Sequence, residues 1–404
     1  MKNRKLMVIF PLLLVLYEMT TYLSNDMYLP AMPFLGQDFG VARHAIQYTL
    51  SAWFLGSASL QLFLGPLSDR YGRKPVLLIG GTCFVLANLL SALTHDFGVF
   101  LLARYFQGAA VCSVVVAGYA AIHEFFDHIK AIKILAFMNS FTILAPAFGP
   151  IVGATLLTVI GWRSIFWLLM VWALLTLIPL FFIMPETNSN RGSANPLNFK
   201  TTIKNYVKIF TNKSFMVNTL SFCLVFAGLI AWVAAGSFLV ISDFHCSAIY
   251  YGIIQAAIFG SFVIATYFLR FFAEKLELRN IIVIGYFFVL VSSMAMFLIT
   301  FVWPAELMLF VVTLMGYAFA VGLLFSTVQR MAVESCKEPM GLVIASYFTF
   351  MGVFCILGSL LVALFFGKTV FSLAAIISVL GILSVFIRAF LLSKKVICYN
   401  INQV

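Results

Sequence analysis

Charged residues are scarce in this sequence. Only 10% of its 404 residues are Asp, Glu, Lys or Arg, whereas 63% are hydrophobic. A water-soluble domain cannot bury that much apolar surface, so the hydrocarbon of a bilayer must serve as its solvent. The composition therefore excludes a soluble globular protein and predicts an integral membrane protein.

The sequence also lacks the residue patterns of metal sites, disulfide frameworks and common enzyme centres. Its seven cysteines are scattered, odd in number and without metal-binding spacing, so they predict free thiols, most of them buried. We find no nucleotide-binding loop and no nucleophile constellation. We therefore expect no enzyme activity, no metal and no cofactor.

Twelve apolar runs are each long enough to cross a bilayer, which takes about twenty helical residues. They lie at 7–29, 45–66, 75–94, 97–120, 133–158, 164–184, 214–241, 250–272, 281–302, 305–329, 341–366 and 369–392. The sequence therefore predicts an all-α integral membrane protein with twelve transmembrane helices. No small-residue cleavage site follows the first run, so we expect an uncleaved span rather than a signal peptide.

The longest polar connection divides these runs into six and six. It predicts an N-terminal bundle over 1–184, a cytoplasmic linker over 185–213, and a C-terminal bundle with a short cytoplasmic tail over 214–404.

Basic residues concentrate on one side of the predicted spans. If the N-terminus is cytoplasmic, 21 of the 25 Lys and Arg residues fall in cytoplasmic segments, and the outer loops hold only Arg43, Arg163 and Lys368. This bias predicts that both termini lie in the cytoplasm. It also accounts for the net charge of +11 without a nucleic-acid partner.

Ionisable residues are almost absent from the spans. Of the 14 acidic residues, twelve lie in loops or at helix ends, whereas Glu18 and Asp26 lie in the first helix, and Arg104 is a buried cation in the fourth. The two acids lie about 12 Å apart along a helix, so both can line one cavity at different depths. A charge near the bilayer centre costs at least about 2.5 kcal/mol, so we expect each to face a partner or water.

These charges suggest a proton-linked function. Burial favours the protonated form of a carboxyl group, whereas a neighbouring guanidinium favours the ionised form. A carboxyl group poised between the two influences can take up a proton on one side and release it on the other. Two alternatives remain open: Glu18 pairs with Arg104 only to hold the helices together, and Asp26 is solvated or caps its helix.

The most specific motif is GPLSDRYGRKP at residues 65–75. Its glycines Gly65 and Gly72 permit a tight turn between two helices, and Asp69, Arg70 and Arg73 can pair with each other and with helix ends. The spacing resembles the loop between helices 2 and 3 of the major facilitator superfamily. We expect this loop to act as a conformational latch rather than as a binding site.

Two further motifs lie in the fourth and fifth predicted helices. LARYFQG at 102–108 resembles the helix-4 motif of the superfamily, and LAPAFGPIVG at 144–153 resembles the antiporter motif of its drug-exporting branches. In the latter, small residues let two helices approach closely and prolines bend the helix. The residues concerned are Pro146, Gly149, Pro150 and Gly153. A proline-kinked helix of any transporter remains the alternative.

Short matches over much of the chain resemble the bacterial drug/proton antiporters of this superfamily. They include LYE at 16–18, NDM at 25–27, GYAAI at 118–122 and AW at 231–232. The resemblance implies two six-helix bundles that rock about a central cavity. It further implies a monomer in the bacterial inner membrane that exchanges small molecules for protons and uses the proton gradient as its energy source.

The same resemblance assigns residues to the site. It implies that Glu18 and Asp26 bind protons and substrate and that Arg104 tunes them. Tyr22, Asn25 and Met138 match positions of a central drug pocket. On its own residue type, Gln255 could form a hydrogen bond in the cavity, although packing between helices is an equal alternative.

The first functional hypothesis is a proton-coupled multidrug exporter for lipophilic cationic and neutral compounds. The alternative is a dedicated proton-driven exporter of one endogenous metabolite, such as a siderophore. Competition among unrelated substrates would separate the two. An importer is disfavoured by the helix-5 motif, and a transport-dead sensor by the three intact membrane charges.

Overall fold

The computed structural model describes residues 6–188, 199–272, 277–367 and 369–392, so the predicted cytoplasmic termini lie outside the described residues. Within these ranges the regular structure is helical throughout, which confirms the predicted all-α class. The α-helices are α1 (Leu6–Asp26), α2 (Met32–Asp38), α3 (Arg43–Tyr71), α4 (Arg73–Leu93), α5 (Phe97–Ser113), α6 (Tyr119–Phe125), α7 (His128–Val159), α8 (Arg163–Ile183), α9 (Phe199–Thr211), α10 (Lys213–Ser237), α11 (Ala248–Phe272), α12 (Leu278–Val302), α13 (Leu307–Glu334), α14 (Met340–Phe365) and α15 (Val370–Leu392). A 3₁₀ turn lies at Leu29–Ala31, and π-helical stretches lie at Val114–Gly118 and Phe238–Asp243.

Ten segments of the described chain are helical, long and apolar enough to cross a bilayer. Two further helices, α3 with 29 residues and α7 with 32, occupy the positions of the second and fifth predicted spans. At 1.5 Å per residue, both exceed the roughly 30 Å thickness of a hydrocarbon core. The architecture is therefore consistent with twelve spans.

Two short helices lie where the sequence predicts only connections. α2 has 7 residues and follows the first span, and α9 has 13 residues and lies inside the predicted linker. α9 is amphipathic, since Ile209 is buried whereas Lys204 and Lys208 are exposed. A search for continuous apolar runs misses such a helix, because its apolar residues recur every three or four positions.

The chain forms two compact units. The first comprises Met1–Asn198 and Val240–Ala256, and the second comprises Phe199–Leu239 and Ala257–Val404. In the first, α5 packs on α3 and α4, and α1 packs on α7 and α8. The sequence-based division into 1–184, 185–213 and 214–404 stays a prediction.

Glycines set the close approach of α3 and α5 in the first unit. A Cβ added to Gly56 would lie 2.0 Å from the carbonyl oxygen of Tyr105, and one added to Gly108 would lie 1.9 Å from that of Trp53. Small residues at such crossings let two helix backbones touch. α3 therefore fixes the position of α5, and with it the position of Arg104.

α10 is the central helix of the second unit, where it packs against α13, α14 and α15. The hydroxyl of Tyr317 on α13 donates a hydrogen bond to the carbonyl oxygen of Val225 at 2.8 Å. Arg388 on α15 donates to Asn218 Oδ1 at 3.1 Å, and its guanidinium lies 4.7 Å from the ring centroid of Tyr286. One buried and one partly buried polar contact therefore tie α13 and α15 to α10.

A bidentate ion pair joins the start of α3 to the segment Val240–Ala256 within the first unit. Nη1 and Nη2 of Arg43 donate to the two carboxylate oxygens of Asp243 at 2.8 and 2.7 Å. The two side chains are only 21% and 18% exposed. Partial burial and the fork geometry make such a pair stronger than an ordinary surface ion pair.

Asp243→Asn is expected to loosen this segment, because an amide cannot offer Arg43 two charged acceptors. Cys246, which is partly buried in the same segment, should then react with a water-soluble maleimide roughly three- to tenfold faster. Peptide mass spectrometry of the purified protein measures the rate at this cysteine.

The control for this experiment is Glu334→Gln. It removes the exposed ion pair between Arg330 and Glu334 on α13 and should leave the reactivity of Cys246 unchanged. An equal labelling rate in wild type and Asp243→Asn would show that the ion pair does not restrain the segment.

Candidate functional site

Glu18 is fully buried in the first unit, in the body of α1. The hydroxyl of Tyr119 donates a hydrogen bond to Oε1 of Glu18 at 2.7 Å. The second oxygen, Oε2, is buried and has no hydrogen-bond partner among the described residues. Because an ionised oxygen that is buried without a donor among the described residues is unfavourable, this oxygen is available to a proton or to a cationic group.

Asp26 is the last residue of α1 and is 5% exposed. The side-chain nitrogen of Asn25 donates to Oδ1 of Asp26 at 3.2 Å. Oδ1 of Asn25 is itself buried and has no partner within the described ranges. α1 therefore carries two carboxyl groups that are both shielded from solvent.

Arg104, fully buried on α5, contacts the backbone of α1. Its Nη1 donates to the carbonyl oxygen of Ser24 at 2.9 Å and to the side-chain oxygen of Gln107. The guanidinium carbon lies 4.0 Å from the ring centroid of Tyr28, which is a cation–π arrangement. Nε and Nη2 have no hydrogen-bond partner in the part of the chain that the structure describes.

Gln107 connects this network to α4. Its side-chain nitrogen donates to Asn88 Oδ1 at 3.2 Å and to Ser91 Oγ at 3.1 Å. Among the described contacts, Arg104 forms no ion pair with Glu18 or Asp26. The alternative in which Glu18 pairs with Arg104 to hold the helices together requires an ion pair that is not among these described contacts.

The other predicted pocket residues occupy different surroundings. Tyr22, which is partly buried, and Asn25 both lie on α1 between the two acids. Met138 on α7 is fully buried in an apolar core that also contains Tyr17. Gln255 on α11 is fully buried. Their role in substrate binding stays a prediction.

Three contacting residues were not predicted as members of the site: Tyr119, Tyr28 and Gln107. Gln107 and Tyr119 both fall in matched motifs, but spacing along the sequence does not indicate which buried charge each one contacts. A hydroxyl group inside an apolar span is the signal that could have identified Tyr119, since a buried hydroxyl needs a hydrogen-bond partner.

The small residues of the helix-5 motif face the end of α1. A Cβ added to Gly149 would lie 2.8 Å from Cβ of Asp26, and one added to Gly153 would lie 1.7 Å from the carbonyl oxygen of Met27. The other two residues of the motif, inside α7, are Pro146 and Pro150. The close approach that the motif predicts therefore occurs between α7 and α1, next to a buried acid.

The loop motif forms a charged cluster with the ends of neighbouring elements. Arg73, the first residue of α4, donates to Oε1 of Glu124 at 3.0 and 2.8 Å and pairs with Asp69 at 2.6 Å. Asn188, beyond α8, donates to the carbonyl oxygen of Asp69 at 2.6 Å. Arg70 is exposed. The cluster joins α3, α4, α6 and the segment after α8, and its action as a latch stays a prediction.

Glu186, just after α8, caps the N-terminus of α4. Its carboxylate oxygens accept hydrogen bonds from the backbone N–H groups of Arg73 at 2.9 Å and Lys74 at 3.3 Å. The first N–H groups of a helix have no intrahelical partner and attract an anion. Gly72 precedes them with φ of 104°, and a Cβ there would lie 2.4 Å from Oε2 of Glu186. The sequence did not identify Glu186.

Gly72→Ala is expected to lower the thermal midpoint of unfolding by about 3 °C or more, because the methyl group is strained at this φ and displaces Glu186. Gly65→Ala is a matched control from the same motif, since no atom lies within 4 Å of a Cβ at Gly65. Size-exclusion chromatography after heating measures both midpoints. Equal losses in the two variants would contradict the role assigned to Gly72.

Comparison with known proteins identifies the family. The model of the Major Facilitator Superfamily matches residues 14–359. The multidrug transporter MdfA of Edwardsiella piscicida is 33% identical over 340 residues, which cover 84% of this chain and 82% of that protein. The chloramphenicol resistance protein CraA of Acinetobacter baumannii is 33% identical over 342 residues, covering 84% and 81%.

The fold agrees with that of solved transporters. An inward-facing, unoccupied bacterial homologue of the human lysosomal transporter Spinster superposes with a TM-score of 0.74 at 11% identity, covering 97% of this chain and 96% of that one. With its all-α spans, its loop motif at 65–75 and these matches, the chain belongs to the major facilitator superfamily.

Proposed function

We propose that this chain exports chemically unrelated lipophilic cations and neutral compounds in exchange for protons. The observation that carries the proposal is the buried carboxyl group of Glu18, which has one oxygen held by Tyr119 and the other without a partner among the described residues. The substrate class is supported by similarity to proteins named for multidrug transport and chloramphenicol resistance.

The proposed exchange depends on the charge state of the carboxyl groups of Glu18 and Asp26. An ionised Glu18 or Asp26 attracts a cationic or polar compound from the cytoplasm or the inner leaflet. Protonation from outside neutralises the carboxylate, weakens its attraction for the compound and favours release. The protonated carrier then returns and loses its proton inside. Because proton and compound compete for the same groups, the proton gradient alone can supply the energy.

Arg104 supports this exchange as a fixed positive charge in the same unit. A nearby guanidinium stabilises the ionised form of a carboxyl group and so opposes the effect of burial. Its hydrogen bond to the Ser24 carbonyl and its position over the Tyr28 ring keep this charge beside α1. We therefore assign Arg104 a tuning role rather than a role as a proton carrier.

We place the protein as a monomer in the bacterial inner membrane, with both termini in the cytoplasm. The unequal distribution of Lys and Arg supports this orientation. The apolar helices support a multi-pass membrane location.

Purified protein in liposomes that enclose a pH-sensitive dye tests the proposed exchange. With a proton gradient imposed, several unrelated compounds should each cause proton movement: a lipophilic cation, a neutral antibiotic and an intercalating dye. Addition of a second compound should reduce transport of the first, because both use one site.

Two results would change the conclusion. Transport of the compounds without any accompanying pH change would contradict proton coupling. If none of the compounds moved and a single secreted metabolite did, the dedicated exporter would replace the multidrug proposal.

A further inference from the structure

We propose that Tyr119 is a positioning residue that holds Oε1 of Glu18 in both protonation states, so that Oε2 is the atom at which proton and substrate exchange. This inference rests on the proposed exchange and assigns its atoms. It starts from the 2.7 Å hydrogen bond between the Tyr119 hydroxyl and Oε1, and from the buried Oε2 without a partner among the described residues.

The helix that carries Tyr119 is shaped to make this contact. The π-helical stretch Val114–Gly118 interrupts the span Phe97–Phe125 between Arg104 and Tyr119. A π turn holds more residues than an α turn, so it rotates the residues beyond it about the helix axis. Arg104 lies before the stretch and Tyr119 after it, and both reach α1.

Close packing at the end of the π-helical stretch supports the same contact. A Cβ added to Gly118 would lie 3.1 Å from Cδ1 of Leu14, so the glycine lets this part of the helix approach α1 tightly. Leu14 and Tyr17 are fully buried around this crossing. Because water has little access there, a hydrogen bond to Glu18 meets little competition.

The chemistry of the two oxygens explains their separate roles. When Glu18 is ionised, Oε1 accepts the Tyr119 hydroxyl proton in a charge-assisted hydrogen bond. When a proton binds Oε2, Oε1 becomes the carbonyl oxygen of a neutral acid and still accepts from Tyr119. The carboxyl group thus keeps one orientation while Oε2 gains or loses its proton. The bond is stronger to the ionised form, so Tyr119 also favours proton release.

Other titratable or charged residues lie on the helix of Glu18 and on the helices packed against it. They include Tyr17, Tyr22 and Asp26 on α1, Arg104 on α5 and Lys133 on α7, whereas α8 has none between residues 164 and 183. A Tyr119→Phe substitution retains all of these groups and the aromatic ring. The variant therefore isolates the hydroxyl.

Difference infrared spectroscopy of the purified full-length protein tests the assignment directly. The carbonyl band of protonated Glu18 is the band that disappears in Glu18→Gln. In Tyr119→Phe this band should move to higher frequency, because its oxygen loses a donor. Its titration midpoint should rise by about one pH unit, because the ionised form loses a charge-assisted hydrogen bond.

Tyr105→Phe is the matched control. It removes another tyrosine hydroxyl from the same span, one that lies 3.0 Å from the Ser59 hydroxyl rather than next to Glu18. This variant should leave the band and its midpoint unchanged. Equal thermal midpoints of the two variants would establish that both are folded.

The outcomes separate this inference from the proposed function. An unchanged band and an unchanged midpoint in Tyr119→Phe would overturn the positioning role. The infrared band reports Glu18 whether or not a compound is transported. A shifted band in Tyr119→Phe would therefore support the positioning of Oε1 in either case. If liposomes with the wild-type protein then showed no compound-driven proton movement, only the proposed exchange would be overturned.

Discussion

Glu18→Gln is expected to reduce compound-driven proton release to the level of protein-free liposomes while leaving the protein folded. An amide cannot take up and release the proton, but its oxygen can still accept the hydrogen bond from Tyr119. Replacing a buried ionisable group with a neutral group of similar shape removes the cost of burying a charge. The thermal midpoint should therefore stay within about 2 °C of wild type.

Glu334→Gln is the control for this result, because it makes the same chemical change at an exposed carboxylate on α13. It should retain wild-type exchange. Wild-type exchange in Glu18→Gln, together with its loss in Asp26→Asn, would assign proton transport to Asp26. Undiminished exchange in both variants and in their combination would contradict carboxylate-based coupling.

Gly153→Ala is expected to cause a large loss of stability from the addition of a single methyl group. The new Cβ would lie 1.7 Å from the carbonyl oxygen of Met27, and backbone atoms cannot move aside as a flexible side chain can. α7 and α1 must separate next to Asp26. Overpacking of this kind costs about 1–3 kcal/mol, which corresponds to a fall of roughly 2–12 °C in the thermal midpoint of a unit of this size.

Gly260→Ala provides the matched control within an α-helix, since no atom lies within 4 Å of a Cβ at Gly260 on α11. Alanine stabilises a helix relative to glycine, so the midpoint should stay the same or rise slightly. A midpoint for Gly153→Ala no lower than that of Gly260→Ala would mean that α7 and α1 are not held at this contact.

The helical class and the positions of the spans could be predicted because a bilayer imposes a minimum length on apolar runs. The residue at which a helix ends inside such a run could not be predicted. The run at 7–29 continues past Asp26, yet α1 ends there and a 3₁₀ turn follows at Leu29–Ala31. Tyr28 lies in this connection and contacts Arg104, so the early end of the helix shapes the site.

The buried charges could be predicted because ionisable residues inside apolar spans are rare and functional. The residues that contact these charges could not be predicted, because contacts between helices depend on how each helix is rotated about its axis. The π-helical stretch before Tyr119 changes that rotation, and the spacing of residues in the sequence does not indicate this stretch. Glu186 was missed for a related reason: its partners are backbone N–H groups of α4, which any residue type supplies.

The ion pair between Arg43 and Asp243 has a consequence for biosynthesis. The two residues are 200 positions apart, so at about 5–20 residues per second the ribosome adds Asp243 roughly 10–40 s after Arg43. During that interval the first unit lacks Val240–Ala256, and Arg43 has no carboxylate of that segment to meet. The early helices are therefore synthesised before their own unit is complete. The ion pair at the start of α3 can form only after the later segment has emerged from the ribosome.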